Sequence, residues 1–189
     1  WDSIITRLAM DYKVPLFVVS GNHDGAERLE VGRSMLSQSG IHIWGSPHHA
    51  LQPFEFEGVD GKVAICPMPF SEPRRIGDAL GLGSAAFSLE TDDTIEQNFD
   101  RNNEATLNLH NYDQMYQAWS NYLRNQVPKG MRSIAISHAF VMGGEVGGSE
   151  RTLSVGGSEQ VHPQVFKDFH YTALGHLHGP QRMGADYIR

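Results

Sequence analysis

Cysteine is almost missing from this chain. Cys66 stands alone among 189 residues, so no disulfide can form within the chain, and a lone thiol fits a reducing, cytoplasmic compartment. Long apolar runs are missing too. None approaches the ~20 residues that a membrane-spanning helix needs, so no membrane partner is expected. Basic residues are scarce: 15 Lys and Arg stand against 22 Asp and Glu, for a net charge of −7. That balance excludes a surface that grips nucleic acid through charge alone. No internal repeat is visible. What remains is an ordinary globular composition, 40% hydrophobic and 20% charged, at a length that can bury a core. Histidine is the exception, with 10 residues unevenly spread.

Trp1, Ile4, Ile5, Leu8 and Tyr12 recur at helical spacing, which predicts an opening amphipathic helix that ends at Lys13-Val14-Pro15. Residues 15–20 form a continuous apolar run of strand length, the pattern of a parallel strand covered on both faces. The run ends in Gly21-Asn22-His23-Asp24-Gly25, and a second helix is predicted over 26–36. Strand, polar turn and helix make the repeating unit of an α/β layered fold. Short β segments are predicted at 41–44, 54–57 and 63–66, with Asp60-Gly61 as a hairpin turn. Cys66 ends the last of these apolar segments and is expected to be buried and inert. Residues 74–130 read as a helical insert. Its acidic middle, 90–104, is followed by the clearest amphipathic helix of the chain: Tyr112, Met115, Tyr116, Trp119, Tyr122 and Leu123. Such an aromatic stripe packs on a core more often than it binds a partner.

Two further strands follow, at 133–137 and from Tyr171 to Gly175, separated by a loop dense in glycine. The first runs into His138. The second runs into Gly175-His176-Leu177-His178, where strand alternation would aim both imidazoles the same way. Alone, such a histidine pair is weak: it could serve one ion, straddle two, or be structural. In company it is stronger. Three apolar strands end in metal-capable groups, namely Asn22, His23 and Asp24, then His138, then His176 and His178. In an open parallel sheet, strand ends gather along one edge, so these groups can meet. His42, His48, His49, His110, His162 and His170 lack that setting and read as structural or surface residues.

This order of motifs, GNHD, strand plus His, then GHxH, resembles the calcineurin-like metallophosphoesterase superfamily. Ser137-His138, Gly148-Ser149-Glu150-Arg151, Val155-Gly156-Gly157, Ile65-Cys66-Pro67-Met68-Pro69-Phe70 and the run from Tyr171 through Gly179-Pro180-Gln181 are similar to the bacterial exonuclease-subunit family SbcD. The resemblance covers most of the chain and is weakest at 74–130. It implies a layered fold in which helices flank a β-sheet sandwich, and two divalent metal ions. Asn22, His138 and His176 would hold the second ion, and His178 the first. His23 would face the scissile phosphate, with Asp24 holding its ring. The N and O donor set suits Mn²⁺; Mg²⁺ would expect more oxygen, while Zn²⁺ and Fe²⁺ stay compatible. The implied activity is DNA phosphodiester hydrolysis, as single-strand endonuclease and 3′-to-5′ double-strand exonuclease. The implied setting is a homodimer within a heterotetramer with an SbcC-like ATPase, in repair and recombination.

One departure is large. The family opens with Asp-x-His and Gly-Asp-x-x-Asp, which supply two ligands of the first metal and the bridging carboxylate, and neither stands ahead of Gly21 here. Trp1 opens inside a predicted helix and Tyr187-Ile188-Arg189 closes inside a predicted strand. The expectation is therefore a fragment, lacking those motifs and the family's capping domain, and inactive by itself. Arg74, Arg75, Arg151 and Arg182 are candidates for local positive charge toward DNA. A metallophosphoesterase acting on nucleotides or phosphoproteins, and a non-catalytic scaffold of the same fold, are the alternatives at this point.

Overall fold

The computed structural model describes residues 2–82, 110–145 and 159–189. Trp1, the acidic stretch 90–104 and the glycine-rich residues 148–151 and 155–157 lie outside the described residues.

The fold is α/β, as expected. β1 (Leu16–Val19) pairs in parallel with β2 (Ile41–Trp44). A second, mixed sheet has the order β3 (Phe54–Gly58), β4 (Gly61–Met68), β5 (Arg132–His138), β6 (Tyr171–Gly175). β3 and β4 form the predicted antiparallel hairpin, closed by Gly61 at φ 96°, and β4, β5 and β6 run parallel. The stretch from Tyr187 continues beside β6: Thr172 N–H donates to Tyr187 O at 2.8 Å, and Arg189 N–H to Thr172 O at 3.0 Å.

β1 alternates as a strand covered on two sides must. Leu16 and Val18 join Ala9, Ile41, Ile43, Leu29 and Leu36 in a small outer core. Phe17 and Val19 face the main core with Trp44, Met68, Tyr116 and Trp119. Two predicted helices differ from expectation. The opening helix is α1 (Asp2–Thr6) followed by a π-helical segment, Arg7–Asp11. The wider turn carries later residues off the 3.6-residue stripe, so Tyr12 is 62% exposed; Ile4, ahead of it, is also exposed, while Ile5 and Ala9 pack inward. The helix over 26–36 splits into α2 (Ala26–Leu29) and α3 (Arg33–Ser37). Gly32 between them sits at φ 78°, a left-handed conformation that ends a helix.

Within the predicted insert, α4 (Pro73–Ala79) packs on α5 (Tyr112–Gln126). The main core owes much to α5, capped by the Asn111 side chain, which accepts from Gln114 N–H at 3.0 Å. Met115, Tyr116, Trp119 and Leu123 of its stripe are fully buried, whereas Tyr122 is left partly exposed. Burial of each such side chain is worth about 1.5–3 kcal/mol. The stripe is core packing. Cys66 is also fully buried, and burial pushes its thiol up to about 12, so it is inert at neutral pH.

Candidate metal centre

The expected edge of one open parallel sheet is not what gathers the site. β1 belongs to one sheet and β5 and β6 to the other, and the exits of the two sheets are tied together. Ser20, immediately after β1, is buried; its Oγ donates to Gly45 O at 2.7 Å, its N–H to Trp44 O at 3.0 Å, and its carbonyl accepts Phe70 N–H at 2.9 Å. One residue thus links the exits of β1, β2 and β4. The turn that follows is closed by Asp24, whose Oδ2 accepts Gly21 N–H at 2.8 Å while Asp24 N–H donates to Gly21 O at 3.1 Å.

This turn presents Asn22 to β5. Asn22 Oδ1 lies 3.1 Å from His138 Nε2, across 116 residues of sequence. The His138 ring meets the His176 ring edge-on, with centroids 5.3 Å apart. Phe70 stands edge-on to His138 at 6.3 Å, and Phe140 lies 5.5 Å from His176. Asn22, His138 and His176 are therefore brought together. His23 and Asp24 are exposed, and both are close enough, with His178, for their charge to act on His138.

Strand alternation does not aim the two terminal histidines. β6 stops at Gly175, and His176 has φ 95°, a conformation that an L residue adopts only at a cost of about 1–3 kcal/mol. Beyond it, His178 lines a cavity of about 450 Å³ together with Val141, Leu174, Leu177, Arg182 and Arg189. The remaining histidines are structural where contacts are resolved. His170 Nδ1 accepts Ser133 N–H at 3.1 Å, His162 caps the 3₁₀ turn Pro163–Phe166, and His42 stacks on Phe17 in the aromatic core. His49 pairs with Glu30 at 2.6 Å.

Two glycines that sequence reasoning passed over shape the centre. A Cβ on Gly21 would stand 2.7 Å from His138 Cε1, and one on Gly175 would stand 2.9 Å from His138 Nδ1. Both therefore make room for the imidazole. The signal was present, since a glycine directly precedes Asn22 and another directly precedes His176. Gly175→Ala is expected to push the ring off Asn22; the ¹⁵N signals of the His138 ring, beside an unchanged circular dichroism spectrum, read the effect.

Burial, then the charge of His176, lowers His138 from its ordinary value to about 4, against an opposing pull from Asp24. At neutral pH the ring is thus neutral, the form that gives a lone pair to a cation. The sign for stability follows directly. Below about 6.5 the unfolded chain takes a proton that the folded chain refuses until about 4. Metal-free stability should therefore fall as pH drops through that window and be indifferent to this group above it. The slope is at most ~1.4 kcal/mol per pH unit, and the ring's partial exposure reduces it. Urea midpoints between about pH 7.5 and 4 measure it.

The donor set fits part of a divalent-cation site. Two donors 3.1 Å apart match adjacent corners around an ion with bonds of about 2.1 Å. The set is incomplete: among the described residues no three His, Cys, Asp or Glu side chains converge to hold a metal. The arginines expected to face DNA are partly spent elsewhere. Arg75 pairs with Glu27, and Arg182 with Asp186 at 2.6 Å; Arg151 lies outside the described residues. Among the described residues, no helix is long and apolar enough to cross a membrane.

No family model matches the chain. It is 25% identical over 188 residues to the SbcD subunit of the nuclease SbcCD from Staphylococcus epidermidis, covering all of this chain and 43% of that protein. The chain is thus distantly related to that nuclease subunit and spans less than half of its length.

Proposed function

We propose that this chain is the part of a metal-dependent DNA nuclease subunit that holds the second of two divalent ions. The observation that carries the reading is the meeting of Asn22, His138 and His176 at three strand exits drawn from two sheets. Asn22, through its amide oxygen, and the two imidazoles would hold one ion, most suitably Mn²⁺, and His178 would belong to the other. When bound, the ions supply Lewis acidity toward a phosphodiester and toward the attacking water. His23, exposed on the turn, would face the scissile phosphate and give a proton to the leaving alkoxide. Asp24, which already closes the turn on Gly21, would orient the His23 ring. The staphylococcal relative adds weight to nuclease chemistry over a phosphomonoesterase or a scaffold.

On this reading the working protein pairs with an SbcC-like ATPase, which would bring the basic surface that a net charge of −7 does not offer. A homodimer within a heterotetramer belongs to the same reading. The 189-residue chain alone would be inactive, because among the described residues no carboxylate bridge accompanies the histidines. The test uses the full-length polypeptide with Mn²⁺. Cleavage of single-stranded DNA supports the reading, whereas preference for a phosphomonoester, with DNA left intact, overturns it.

A further inference from the structure

The hydroxyl of Tyr116 has no place in the proposed chemistry. Its side chain is fully buried in the second turn of α5, and a buried hydroxyl must find partners inside the protein. It finds them at the metal centre. Ser71 N–H donates to Tyr116 Oη at 3.3 Å, and the hydroxyl reaches Pro69 O and His138 O, each at 3.4 Å. One proton is shared between two carbonyls, which accounts for the long distances. Its three partners flank the centre: Pro69 and Ser71 bracket Phe70, and His138 is itself a proposed ligand. Phe70 ties back to β1 through Ser20 and lies edge-on to the His138 ring. The hydroxyl therefore grips the backbone of His138 and of its aromatic neighbour at once. Gly21 and Gly175 leave the ring little slack, since a Cβ on either would crowd it.

We infer that Tyr116 is a positioning residue, whose hydroxyl fixes the spacing between Asn22 Oδ1 and His138 Nε2. Tyr116 touches neither donor atom. It acts through the His138 carbonyl and the Pro69–Ser71 backbone, from a helix whose sequence announces only a core stripe. Three long hydrogen bonds are individually weak, but they bear on a donor pair that must hold its geometry to within about 0.5 Å to bind an ion well. The sensitive quantity is then ligand geometry more than global stability.

The test is Tyr116→Phe in the full-length polypeptide, with Ser120→Ala as the control from the same helix. Ser120 is also buried, but its Oγ donates to Val165 O at 2.7 Å, a carbonyl that is no part of the centre. Two readouts are taken. In metal-free protein, the ¹⁵N shifts of the His138 ring report its bond to Asn22; they should move in Tyr116→Phe and stay in Ser120→Ala. With Mn²⁺ added, affinity should fall about tenfold in Tyr116→Phe and less than about twofold in the control. A 3-fluorotyrosine at 116, which keeps ring and hydroxyl in place, should shift the His138 signals in the same direction by less. Unmoved His138 signals in both altered proteins overturn the inference. The second readout rests on the metal reading. Moved signals in a wild type that binds no Mn²⁺ uphold Tyr116 and reject the metal.

Discussion

On the proposed reading, replacing His23 by alanine in the full-length polypeptide should lower kcat for Mn²⁺-dependent DNA cleavage by about 10²–10⁴-fold, the range for losing a general acid. Metal affinity should barely change. The argument is geometric. His23 is exposed at the tip of the turn and is not among the side chains that close on one another, whereas Asn22, His138 and His176 are. Yet it lies near enough to affect the basicity of His138, so a phosphate at the centre would be within its reach. The turn survives its removal, because the Asp24 carboxylate closes it on Gly21 N–H without the imidazole. The effect should fall on kcat with KM nearly constant, since a proton donor acts in the transition state. Cleavage at the wild-type rate would remove His23 from the mechanism. A parallel loss of Mn²⁺ binding would make it a ligand instead.

Gly45→Ala should destabilise the fold by about 3–5 kcal/mol, although residue 45 is no part of the centre. A Cβ there would stand 2.0 Å from the carbonyl oxygen of Ala26, a backbone atom that cannot swing aside. α2 would have to retreat. Glu30 lies just beyond α2, and its Oε1 accepts Gly45 N–H at 2.8 Å and Ser46 N–H at 3.2 Å from an almost fully buried position. Separating α2 from the exit of β2 strands that carboxylate. It also disturbs Ser20, whose Oγ donates to Gly45 O. The expected record is a urea midpoint shifted far below wild type. A variant as stable as wild type would show that α2 rides free of the sheet.

The strands, the Asp60-Gly61 hairpin and α5 were legible because each rests on a local rule. These are an unbroken apolar run, a turn dipeptide and a 3.6-residue stripe. The break at Gly32 was less so, since Glu27 to Leu36 keeps apolar residues at helical spacing while one glycine adopts a positive φ. His176 is the same lesson inverted. Nothing in a histidine announces φ 95°, and the alternation that would aim it holds only to Gly175. The meeting of Asn22, His138 and His176 was foreseen from strand ends, but through the wrong device. It depends on Ser20 and Phe70 linking two sheets, and a serine after an apolar run carries no mark of that. Glu30 and Tyr116 were illegible for a related reason. Their partners are backbone groups remote in sequence, and backbone leaves no trace in composition.

The division of the apolar interior has a consequence for cooperativity. Asn22 hangs from a sheet whose outer face rests on the small cluster around Ala9, Ile41 and Ile43, while His138 and His176 hang from strands built into the larger one. An outer face with so few buried contacts is expected to open more often than the larger core, and such an opening would loosen the hold on Asn22. An ion shared between them would then stabilise the joint as well as the chemistry, latching the weaker sheet to the stronger by the free energy of its own binding.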